Sequence, residues 1–133
     1  MNLTFYNDQV SKLTQLLYPD MEQLNHIIRA KNFIDNNFDH PINLNQVALT
    51  AHSSKFHFIR LFRKYYGRTP HQYLIEKRVT KAKQLLQEGS SVIDACFAVG
   101  FDSVSSFSTL FKRMNGLSPD IYKRKKQFSI RHL

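Results

Sequence analysis

The side chains of this chain best suited to chemistry are cations, and the chemistry they offer is the binding of anions. Lys55, Arg60, Arg63, Lys64, Arg68, Lys77, Arg78, Lys81 and Lys83 have only Glu76 as an acid among them, and Lys112, Arg113, Lys123, Arg124, Lys125 and Lys126 form a second cluster. Over 133 residues, 19 Lys and Arg stand against 10 Asp and Glu, a formal net charge of +9. A small surface this basic attracts polyanions, nucleic acid first among them. A charge run taken alone is equally compatible with a solvated face.

Other chemistries find little support. No pair among His26, His40, His52, His57, His71 and His132 has carboxylate or cysteine partners at a ligand spacing, so no metal and no cofactor are expected. No Ser/His/Asp order, carboxylate pair or phosphate-cradling glycine loop stands out, and the chain is read as not an enzyme. Cys96 is the single cysteine, which rules out an internal disulfide, and its expected role is packing. No apolar run approaches the roughly 18 to 20 residues that a spanning helix needs. With no leader-like N-terminus either, the expectation is a cytoplasmic protein with no membrane partner.

The elements that must position these cations are helices. Residues 1–20 read as a nearly neutral arm ending in Tyr18-Pro19-Asp20. Apolar residues at helical spacing then predict a first helix over 21–38, and Asn43 caps a short second helix, with Gln46 placed to complete a capping box. Ser54 caps a third that stops at Gly67, and Thr69-Pro70 starts a long fourth over about 70–87, ended by Gly89. Ser91 caps a fifth that stops at Gly100, Ser103 a sixth that stops at Gly116, and Ser118-Pro119 opens a seventh before a basic tail. The expected fold is all-α: a seven-helix domain with two helix-turn-helix subdomains joined by a long linker helix. Its expected divisions are an arm at 1–20, subdomains at 21–67 and 90–126, the linker at 68–89 and the tail at 127–133.

The subdomains are read from an internal repeat. Phe58, Phe62, Gly67, Pro70 and Tyr73 recur at one constant offset as Phe107, Phe111, Gly116, Pro119 and Tyr122. Val47, Ala48 and Ala51 match Ala95, Cys96 and Val99 at an offset one shorter, so the second turn holds one extra residue. A short helix with a small residue at its crossing point, a tight turn and a longer amphipathic helix make the helix-turn-helix plan, whose second helix enters a major groove. A bundle of helical hairpins would carry the same pattern in either unit alone; duplication combined with positive charge favours DNA. The connecting helix, at about 1.5 Å per residue, rises roughly 27 Å, against a B-DNA repeat of about 34 Å.

The stretches VGFDSVSSFSTLFKRMNGLSPDIYKRK and LFRKYYGRTPHQYLIEKRVTKAKQLL closely resemble the AraC/XylS family of bacterial transcription regulators. The resemblance covers roughly residues 21–126. It implies sequence-specific binding of promoter or operator double-stranded DNA, with recognition helices at about 54–66 and 103–115 in successive major grooves. By position, base reading in the first unit falls on Phe56, Ile59 and Arg60. Arg60 can bond guanine O6 and N7 together, whereas Phe56 and Ile59 offer only apolar contact, and core packing is the competing role for Phe56. Base reading in the second unit falls on Val104, Ser105, Ser108 and Thr109; in the family longer polar residues are common at the positions of Val104 and Ser105, and arginine at that of Thr109. That helix is therefore expected to contribute mainly groove fit. Phosphate binding is assigned to Asn43, Ser54, Lys55, Arg63, Lys64, Ser103, Lys112 and Arg113. His52 aligns with the turn glycine, where a positive φ would cost strain.

The rival reading is a basic helical protein-interaction module that contacts RNA polymerase or another acidic partner; RNA polymerase is also a candidate second partner of a DNA regulator. Monomer and dimer on DNA both stay open. The initial methionine is what a stand-alone regulator would show, although a DNA-binding fragment of a longer protein would look the same.

Overall fold

A computed structural model describes residues 3–17, 21–51 and 54–131, and every regular element in them is an α-helix. In chain order these are α1 (Leu3–Leu17), α2 (Met21–Asn37), α3 (Leu44–Thr50), α4 (Lys55–Tyr66), α5 (Pro70–Gln87), α6 (Val92–Ala98), α7 (Val104–Asn115) and α8 (Pro119–Arg131). The all-α class holds, but the expected count of seven does not: the described residues form eight helices. The additional one is α1, in the segment read as an arm. That segment has no glycine or proline before Pro19, and Leu3, Tyr6, Val10, Leu13 and Leu17 recur at three- and four-residue intervals, the spacing of a helical stripe. Near-neutral charge and a terminal turn said nothing against a helix. Phe5 and Tyr6 of α1 remain exposed.

Helix boundaries follow their caps. Asn43, in extended conformation, accepts a hydrogen bond from the Asn45 amide at 2.9 Å, which fixes the start of α3. Ser54, Ser91 and Ser103 do the same for α4, α6 and α7, each accepting from the amide three residues on. At the other ends of α4 and α7, Gly67 and Gly116 adopt φ 72° and 77°, left-handed values that a side chain would oppose. The expectation of a positive φ at His52 lies outside the described residues. α8 runs through Lys123–Lys126 to Arg131, so that basic stretch is helical.

The chain divides into two compact units, Met1–Phe33 with Asn43–Pro70, and Ile34–Ile42 with His71–Leu133. In the first, α3 packs against α4, and Ile27, Val47, Ala48, Phe58 and Phe62 are buried. In the second, α6 packs on α7 and α7 on α8; Val79, Ala82 and Leu86 of α5 join Cys96, Val99, Phe107, Phe111 and Tyr122 in one core. The repeat is visible in the packing. Phe58 and Phe62 meet edge to face at 5.8 Å and 64°, and Phe107 and Phe111 at 5.7 Å and 62°. All four rings are fully buried, and cutting any one back to alanine would cost about 3–5 kcal/mol.

Candidate nucleic-acid interface

In both units the buried phenylalanine pair occupies one side of a twelve-residue helix, which leaves the other side free to carry function. On α4 that outer side bears Lys55, Phe56, Arg60, Arg63 and Lys64, all exposed, with Ile59 half-buried among them. Phe56 is 75% exposed, so it is not a core residue. An exposed aromatic ring on a cationic helix leaves apolar surface that a partner can bury with a gain in free energy. Lys64 also lies over the Tyr65 ring, 5.4 Å from its centroid. The remaining cations of this face can move toward a polyanion.

The outer side of α7 is built differently. Ser105 and Thr109 are exposed and Ser108 is half-buried. The Thr109 hydroxyl donates to the Ser105 carbonyl at 3.0 Å, which occupies its only proton and leaves it an acceptor. Val104 packs against the core of its unit, so little of it is available outside. Lys112 and Arg113 are exposed in the last turn of α7, where cations also suit the negative end of the helix dipole.

The N-cap residues present the free amides of helix starts. Ser54 and Asn43 are exposed, Ser103 half-buried. The structure thus brings Ser54, Lys55, Phe56, Ile59, Arg60, Arg63 and Lys64 together on α4, and Ser103, Val104, Ser105, Ser108, Thr109, Lys112 and Arg113 on α7. Asn43 sits at the start of α3, in the same unit as α4.

One positioning residue was not singled out in the sequence. Arg78 of α5 donates from Nε to the Phe38 carbonyl at 2.6 Å and from a terminal nitrogen to the His40 carbonyl at 3.0 Å, while its guanidinium lies 5.7 Å from the Phe101 ring centroid. Burial pushes its pKa down, and Asp102 and Asp39 oppose that. The available signal was its spacing: Arg78 stands four residues from Leu74 and from Ala82, in the buried stripe of the helix. Its neighbour Gly100 opens the turn before α7 at φ 98°, where an added Cβ would lie 2.9 Å from the Phe38 oxygen and 3.0 Å from Arg78 Nε.

Cys96 is fully buried, and burial first, with the Asp102 charge second, pushes its thiol pKa up. A thiol so held is a packing group, not a nucleophile. Among the described residues no group of three or more His, Cys, Asp or Glu could hold a metal ion, and no helix is long and apolar enough to cross a membrane.

Comparison with known proteins gives the arrangement a setting. Residues 47–125, more than half of the chain, match a family model described as a helix-turn-helix domain. The probable transcriptional regulator LumQ of Photobacterium leiognathi is 37% identical over 115 residues, which cover 84% of this chain and 43% of that protein, so this chain spans less than half of LumQ's length. The crystal structure of the DNA-binding domain of AdpA, a global transcriptional factor, in complex with a target DNA superposes with a TM-score of 0.74 at 27% identity, covering 78% of this chain and 95% of that one. An AraC-type transcriptional regulator from Chromobacterium violaceum superposes with a TM-score of 0.66 at 26% identity, covering 78% and 91%. With the repeated build of α4 and α7, these matches establish that the chain belongs to the helix-turn-helix family of DNA-binding transcriptional regulator domains.

Proposed function

We propose that this domain is of the AraC/XylS type and regulates transcription in the bacterial nucleoid by inserting α4 and α7 into successive major grooves of one duplex. The observation that supports this best is the repeated helix with buried phenylalanines on one side and Arg60, or Lys112 and Arg113, exposed on the other. The two helices are unequal readers in this proposal. Phe56, Ile59 and Arg60 read bases from α4. Ser105, Ser108 and Thr109, with what Val104 still exposes, give α7 a fit to the groove and a weak preference. Asn43, Ser54, Lys55, Arg63, Lys64, Ser103, Lys112 and Arg113 hold phosphates.

Selection of bound duplexes from a random pool of about 20 base pairs tests the reading. A recovered consensus of two motifs about one helical turn apart is expected. Equal binding to every duplex at physiological salt would sink it. On the recovered site, Arg60→Ala should relax preference at one base pair by about 1–3 kcal/mol, whereas Lys112→Ala should weaken all sequences alike and lower the salt slope by about 1.

A further inference from the structure

The second unit carries a cationic cleft that neither recognition helix accounts for. Lys83 of α5 and Lys125 and Lys126 of α8 line it together with Asn115, Tyr122 and Ser129, and it encloses about 360 Å³. Its lining holds no acid. Two of the ammonium groups converge on one ring, with Lys83 Nζ 5.6 Å and Lys126 Nζ 5.7 Å from the Tyr122 centroid. That ring is fixed: it is 7% exposed, meets Phe111 edge to face at 5.4 Å, and its hydroxyl accepts from Gln87 Nε2 at 2.6 Å. Among the described residues no carboxylate pairs with Lys83, Lys125 or Lys126.

Two other polar side chains of the cleft donate to the backbone of their own helices. Asn115 donates its side-chain amide to the Phe111 carbonyl at 3.0 Å, and Ser129 its hydroxyl to the Lys125 carbonyl at 3.0 Å. The charge a ligand meets there is that of three ammonium groups, with nine N–H donors and no acceptor of their own. Like charges gathered in one cleft repel, and an anion with several oxygens relieves that repulsion while satisfying the donors. The buried Tyr122 ring offers a nucleotide base no open face for stacking, which disfavours a free nucleotide and leaves the phosphate group as the recognised chemistry.

Position says which phosphate. Asn115 follows Lys112 and Arg113 on α7 within a single turn, so the cleft adjoins the cationic end of the recognition helix. Lys126 and Ser129 lie beyond the segment that matches the helix-turn-helix family. We infer that this cleft seats phosphates of the DNA backbone that flank the segment met by α7, extending the second unit's hold on the duplex without reading sequence. The inference rests on the DNA-binding function proposed above.

The test uses the full chain on its selected duplex and follows log affinity against log salt concentration. A Lys83→Gln, Lys125→Gln, Lys126→Gln triple variant should lower the slope by about 2.7, at about 0.9 for each of the three phosphates no longer neutralised. Affinity at low salt should drop at least about tenfold, with the preference for selected over scrambled duplex unchanged. The corresponding Lys→Arg triple should restore both. Circular dichroism checks folding; if the glutamine triple does not fold, Lys125→Gln alone, at an exposed position, should lower the slope by about 1. An unchanged slope while the parent chain binds normally overturns the inference and leaves the DNA reading intact. A lost sequence preference also overturns it, because the lysines would then act through the seating of α7. So does loss of binding to pyrophosphate or to an acidic peptide with no change on DNA. Failure of the parent chain to bind any duplex would instead overturn the DNA reading itself.

Discussion

The Arg78 Nε donates to the Phe38 carbonyl at 2.6 Å, which joins the middle of α5 to the end of α2 beside the turn that precedes α7. Arg78→Ala would leave the Phe38 and His40 carbonyls without this donor and uncover the Phe101 ring. The expected cost is about 2–3 kcal/mol, read from urea denaturation. Arg78→Lys should recover only part of it, because an ammonium cannot reproduce the planar fork that reaches both carbonyls and stacks on the ring. Full recovery with lysine would show that charge alone matters there.

Gly100 is the glycine of this fold that space as well as conformation requires. Gly100→Ala meets both a positive φ and a backbone oxygen at 2.9 Å, and should destabilise the second unit by more than about 2 kcal/mol. Gly67→Ala and Gly116→Ala meet only the conformational cost, about 1 kcal/mol each, because nothing lies within 4 Å of an added Cβ. Thermal midpoints of the three variants measured side by side should rank accordingly; equal losses would contradict the crowding at Gly100.

Ser54 separates folding from binding. Aspartate caps a helix as well as serine, so Ser54→Asp should leave stability within about 0.5 kcal/mol of the parent. The added charge at the N-terminus of α4 should nonetheless weaken duplex binding at low salt by about tenfold if that helix start faces phosphate. Ser54→Ala should do the reverse, costing about 1 kcal/mol of stability with little direct effect on the salt slope. Undiminished binding by Ser54→Asp would move Ser54 off the interface.

Cys96 predicts a sign for the alkaline limb of stability. Its folded pKa is raised, so the native state holds the thiol proton more tightly than the unfolded chain does. The contribution is fully present below the ordinary thiol value of about 8.5 and is lost as pH rises through the folded pKa. Urea midpoints should therefore fall as pH rises above about 8.5, and those of Cys96→Ala should fall less steeply. Alkylation of Cys96 should be slow until denaturant is added; rapid reaction in native buffer would contradict its burial.

Much of the fold was legible because its signals are local. Ser54, Ser91 and Ser103 are caps by side-chain chemistry, Gly67 and Gly116 are stops by backbone freedom, and each acts within a few residues of itself. The same holds for the candidate site on α4, where helical spacing alone sets Phe58 and Phe62 on one side and Arg60 on another. Residues 3–17 are helical where an arm was expected, because near-neutral charge and a closing turn do not oppose a helix and the apolar spacing from Leu3 to Leu17 favours one. Exposure of Phe56 was open from sequence, since an aromatic residue at the first turn of a helix is compatible with either core or surface.

By itself, then, the sequence determined an all-helical basic chain with a duplicated short-helix, turn, long-helix unit, because periodicity, caps and charge are properties of neighbours along the chain. Only the tertiary structure decided what depends on residues far apart in it. Among these are the Arg78 bonds to Phe38 and His40, the crowding around Gly100, and the meeting of Lys83 with Lys126 at the Tyr122 ring. Such contacts form when helices pack, and no spacing rule within a single helix encodes which partner will lie opposite.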